Sequence, residues 1–194
     1  MKTRSLLFAL PLLLTLTACG GPAISADTEV HMRNPLFAQR YWAELVDRLT
    51  MLQIQKDPLL EDAGVASAVE SNKQAALAEE RKADALVRDG MNGVFIGMKE
   101  ATEGQVLLQG GTLWLGSTFM SYPGPDLRLY LTEAVDPRDV QFPDATALDL
   151  GLLTSPYADQ EYPLPDESKD KPFRTAVLWD AELGRLYALA QLAK

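Results

Sequence analysis

The chain has 194 residues, 47% of them hydrophobic, with 18 Lys and Arg against 27 Asp and Glu and a formal charge of −9. That balance excludes a disordered polymer and a basic nucleic-acid binder, so no nucleic-acid partner is expected. One Cys and one His exclude an internal disulfide and an iron–sulfur or multi-thiolate metal site, and argue against His-rich metal sites and His-containing triads.

At the start, Lys2 and Arg4 precede an apolar stretch from Leu6 to Leu16, broken by Pro11 and Thr15, and the small residues Thr17 and Ala18 precede Cys19. About eleven residues rise only about 16 Å as a helix against roughly 30 Å of hydrocarbon. The stretch is too short to span, and residues 1–18 read as an export signal. The run Leu16-Thr17-Ala18-Cys19-Gly20 resembles the bacterial lipobox. The resemblance implies that Cys19 is acylated, is exposed by cleavage and ties the mature chain to a lipid bilayer on its extracytoplasmic side. With glycine rather than aspartate after the Cys, it implies the outer membrane in a Gram-negative cell. One acyl chain binds marginally, whereas two or three hold firmly. Without its leader the body carries −11, a charge that anionic lipid surfaces repel.

Residues 19–33 then read as a lipidated, flexible tether, since GGPAISADTEVHMR is small, polar and aperiodic and would reach roughly 20 Å. His31, at its end, reads as a solvated side chain. Residues 34–90 turn helical. Asn34 caps and Pro35 takes the first position, and Leu36, Phe37, Tyr41, Leu45, Leu49 and Leu52 recur at helical spacing to about Lys56. Asp57-Pro58 repeats the signal for a second, alanine-rich helix ending at Arg88, with Gly64 and Ser71-Asn72 as possible breaks and Gly90 as a left-handed cap. An αα-hairpin or kinked stalk follows, with Trp42, Leu45, Leu49 and Leu52 facing the second helix or the domain behind it.

Residues 91–194 switch to short β-rich runs: Val94–Ile96, Gln105–Gln109, Leu113–Ser117, Leu127–Thr132, Leu148–Leu150, Glu161–Leu164, Thr175–Trp179 and Leu186–Leu192. Marked turns separate them, among them Gly110-Gly111 and Tyr122–Asp126. The expected class is therefore α+β: a helical hairpin or stalk followed by a mainly antiparallel β-sandwich or barrel.

Within this last segment an ordered set of residues resembles the DM-thirteen domain. The set runs from Gly93-Val94-Phe95, Glu103-Gly104-Gln105-Val106 and Leu113-Trp114-Leu115 to Gly124-Pro125-Asp126-Leu127-Arg128-Leu129-Tyr130-Leu131. It continues through Gln160–Pro165 and Ala176-Val177-Leu178-Trp179 to Ala190-Gln191-Leu192. The resemblance implies a β domain that is a candidate for electron transfer through a cysteine directly after the late-strand Trp. That position holds Asp180, and a carboxylate can form no thiolate, sulfenate or disulfide. The fold is carried over and the thiol mechanism is not.

The remaining candidates are weighed on their residues. Asp126 reads as a turn former, Trp179 as an apolar core residue, and Asp180 as a solvent-facing strand end. Together these three mark the possible binding surface. Asp180 and Glu182 would share a strand face as an acid–base pair, but Gly184 points to a turn there. Asp136, Asp139 and Asp144 form the nearest acidic cluster and match no spaced calcium loop, so no metal is assigned. No haem-attachment, dinucleotide or cysteine-cluster motif appears, and no cofactor is assigned. The expectation is a non-catalytic, lipid-anchored envelope module that binds a protein or small ligand. The alternative is an accessory electron-transfer protein using a bound cofactor or partner.

Overall fold

The structure, a computed structural model, describes residues 21–194. The export signal and Cys19 lie outside the described residues. The segment expected to be a tether is partly helical: Ser25 caps α1 (Ala26–His31) by accepting from the Thr28 N–H. Asp27 and Glu29 in its first turn complement the positive end of the helix dipole, which composition alone had not revealed.

α2 (Pro35–Ile54) starts where Asn34 and Pro35 place it. Asp57 caps only a short 3-10 turn, Pro58–Glu61, and Asp62 caps α3 (Ala63–Asp89). Neither Gly64 nor Ser71-Asn72 interrupts those 27 residues. Gly90 is extended at φ −85° rather than left-handed, because it leads directly into a strand. A side chain there would collide with Leu107 and Gln109. Trp42 and Ala38 of α2 pack on Ala76 and Ala83 of α3, with Leu45 and Val46 beside them, so the two helices form an antiparallel hairpin. No helix among the described residues is long and apolar enough to cross a membrane.

The β domain is a pair of antiparallel sheets. One orders β1 (Met91–Val94), β4 (Gln105–Gln109), β5 (Thr112–Leu115) and β9 (Gln160–Pro163). The other orders β2 (Ile96–Gly97), β11 (Arg185–Gln191), β10 (Thr175–Asp180), β7 (Leu127–Thr132) and β8 (Leu148–Leu152). A small ribbon pairs β3 (Thr102–Glu103) with β6 (Met120–Ser121). The described strands form no closed barrel, so the sandwich alternative holds.

The expected strand Val94–Ile96 divides at its centre. Val94 ends β1 in one sheet, Phe95 turns into the core, and Ile96 opens β2 in the other. Between the sheets, Val106, Leu113 and Leu115 face Leu129, Leu131, Ala176, Leu178, Ala188 and Ala190, and Phe95, Phe119 and Phe173 fill the ends. The hairpin docks on this domain. Buried Asn34 accepts from Leu36 N–H and donates through Nδ2 to the Leu115 carbonyl at 2.7 Å.

Candidate functional site

β10 carries the central observation. Its inward residues Ala176 and Leu178 belong to the core, and alternation sends Asp180 to the same side at the strand's end. Asp180 is fully buried, at 0% exposure, and this corrects the expected solvent-facing position. The sequence placed it beside a turn, but two neighbouring strands and the Gly124–Asp126 turn close over it. Leu127 of β7 lies opposite on one side and Arg185 of β11 on the other, and Ala181 N–H donates to the Asp126 carbonyl.

The carboxylate is half satisfied. Oδ1 accepts from the Leu183 N–H at 2.9 Å, which closes the β10–β11 turn. Oδ2 is buried with no hydrogen-bond partner among the described residues. It points at Gly124, as does the hydroxyl of Tyr187. A methyl group on Gly124 would run into Asp180 Oδ2 and lie 2.9 Å from Tyr187 Oη. The Gly-Pro-Asp turn and the end of β10, fifty-odd residues apart in sequence, are thus one site, with glycine required by the close approach.

Tyr187, itself buried in the core, was not anticipated. Burial pushes its phenol upward, the Asp180 and Glu100 charges add to that, and Arg185 opposes them. Arg185 in turn holds Glu100 through Nη2 at 2.7 Å, while its Nε is buried without a partner. Alternation along β11 gave no signal for Tyr187: it is out of phase with inward Ala188 and Ala190 and turns inward only at the irregularity where the β10–β11 register skips it.

Of the three residues proposed as one surface, Asp126 adjoins the end of β10 that carries Asp180, whereas Trp179 does not share Asp180's face. Trp179 faces the opposite side of the sheet from Asp180, half-buried, in a row of rings with Phe142 (centroids 5.2 Å apart) and Tyr130 (5.5 Å from Phe142). Asp126 approaches Arg128 at 3.4 Å, and Arg128 also binds Asp149 at 2.9 Å. Glu182 lies in the exposed turn and shares no face with Asp180. The acidic cluster is dispersed too. Asp136 is taken by Arg138, which holds its carboxyl at about 2, and Asp144 is taken by Thr132 and Thr146. No group of three potential ligands among the described residues could hold a metal ion.

His31 is exposed, as expected of a solvated side chain, but it is not without partners. Its Nδ1 lies 2.8 Å from Asp159 Oδ2 and its ring stacks on Phe37.

Residues 95–192, from the Phe95 crossover to the end of β11, match the family model described as electron transfer DM13. The chain belongs to the DM13 family. No curated protein and no solved structure matches it. Within the DM13 region there is no cysteine, since the chain's only one is Cys19. The site that the DM13 strand presents is therefore a carboxylate between a phenol and a glycine, which can accept a proton or a hydrogen bond but offers no sulfur to oxidise.

Proposed function

We propose that this protein is a cell-envelope lipoprotein whose DM13 domain serves as a non-catalytic binding or interaction module, with Cys19 as its lipid anchor. The observation that carries this reading is Asp180: a wholly buried carboxylate at the position where the family resemblance expects a thiol, in a domain without sulfur other than methionine. Burying a half-paired carboxylate is costly, and a side chain closed over by Gly124, Leu127 and Arg185 is built into the fold rather than offered to a redox partner. The lipobox-like run supplies the anchor, and the bilayer is its first partner, with an envelope protein as the second.

The test is mass spectrometry of the amino-terminal peptide from cell-grown protein together with voltammetry of the purified chain. A diacylglyceryl adduct on Cys19 and an absent redox couple are expected. An unmodified Cys19 thiol removes the anchor. The family's own description favours a second reading, electron transfer through a bound cofactor or partner. A reversible couple accompanied by visible absorbance would establish that reading and displace the first.

A further inference from the structure

Outside the β domain, a groove of about 610 Å³ runs between the amino-terminal segment and the helical hairpin. That size lies within the roughly 300–1,000 Å³ of small-molecule sites. Its walls are apolar: Pro22 and Ile24 on one side, Trp42 at the base, and Ala78, Ala83 and Leu86 along α3. The alanines keep the groove wide, because larger side chains at those helical positions would fill it. Charge is confined to Arg33 and to Glu79 and Lys82, which pair with each other at 2.7 Å with both side chains well exposed.

The position of the chain in this groove is the informative feature. Gly21 and Pro22 are themselves part of the wall, so the backbone is already in the groove two residues after Cys19. At 3.3–3.6 Å per residue, Cys19 lies within about 7 Å of Gly21. A hydrocarbon chain attached to its sulfur starts beside an apolar trough, and tethering gives it an effective concentration that no free amphiphile or second copy matches.

We infer that the groove receives one acyl chain of the lipid on Cys19. This inference rests on the lipid-anchor reading above and extends it, making the anchor's own hydrocarbon a ligand of the helical hairpin. A lipid with two or three chains keeps the others for the bilayer.

The test feeds bacteria expressing the full chain a palmitate that carries a photoreactive diazirine, irradiates them, and maps crosslinked peptides by mass spectrometry. The expected result is a crosslink from the Cys19 lipid to the α3 peptide that contains Ala78 and Ala83. That crosslink should drop several-fold in Ala78→Trp, which fills the groove from an exposed position. Leu86→Trp repeats the test from another wall, so misfolding of one variant does not decide it. Crosslinks from labelled Cys19 to bilayer lipid alone would overturn the inference while leaving the anchor intact. So would crosslinks joining heavy- and light-isotope copies, which would make the groove a contact between chains. No label on Cys19 would overturn the anchor reading itself, and the inference with it.

Discussion

Gly124 is where the family's turn motif acquires a physical reason. Its missing side chain lets Asp180 Oδ2 and the Tyr187 hydroxyl approach the backbone, so Gly124→Ala forces a methyl group into both. Overpacking of this kind costs about 1–3 kcal/mol, and urea denaturation should show the midpoint fall with little change in slope. Asp180→Asn tests the other side of the contact. The amide keeps an oxygen for the Leu183 N–H and removes the negative charge that helps hold the Tyr187 phenol above its ordinary range. Ultraviolet titration should then place the Tyr187 phenol lower than in the parent chain, and an unchanged titration would mean that the Asp180 charge plays no part in raising it.

Thr132 governs a separate carboxylate. Burial pulls Asp144 upward, but the Thr132 and Thr146 hydroxyls and the Thr146 N–H outweigh it and leave the carboxyl below its ordinary 3.8. A depressed folded value means stability that is present above the unfolded value and lost as pH falls through the folded one. Thr132→Val removes the 2.6 Å hydrogen bond, leaving the carboxylate and the Ala134 N–H short of a partner. A loss of about 1–3 kcal/mol near neutral pH is expected, with a shallower fall on acidification, read from thermal melts across the acid range.

Among the elements, Asn34 does two tasks that its sequence signal revealed only in half. Asn-Pro ahead of an apolar helical period identifies a cap, and the cap is there. The second hydrogen bond, to the Leu115 carbonyl on β5, depends on how the hairpin folds back on the domain, and no local pattern encodes that. Asn34→Ala removes both and should cost about 1–3 kcal/mol. Amide exchange should quicken in the first turn of α2 and at β5, whereas an exposed cap would affect the helix alone.

The same division explains what else was legible. Gln105–Gln109 and Leu127–Thr132 match their strands end to end, the first because it is a short apolar run between turn residues and the second because it also alternates. The β3–β6 ribbon was unreadable, since two-residue strands carry no period. For the site, the sequence identified the Gly-Pro-Asp turn and Asp180 separately. Their meeting, the burial of Asp180 and the recruitment of Tyr187 come from the pairing of β10 with β7 and β11, which are long-range contacts.

At the scale of the molecule, the question is whether hairpin and sandwich behave as one body. The links are distributed. Asn34 reaches Leu115, Arg40 reaches Ser117, His31 reaches Asp159, and Asn92 Nδ2 donates back to the Val87 carbonyl at the end of α3. Gly90 sits so close to Leu107 and Gln109 that no hinge residue with a side chain would fit between α3 and β1. Exposed ion pairs such as Arg40–Glu44 add little, about 0–1 kcal/mol each, so the coupling depends on the buried contacts around Asn34, Leu36 and Gly90. One cooperative transition is therefore expected. Helical circular dichroism, dominated by α2 and α3, and the near-ultraviolet signal of a Trp42→Phe background, in which Trp114 and Trp179 of the sandwich are the tryptophans that remain, should lose their native values at the same denaturant concentration. In Asn34→Ala the hairpin signal should fall first. Coincident curves in that variant would mean that packing at Gly90 and β1 carries the coupling by itself, whereas separate curves in the parent chain would make the hairpin an independent arm.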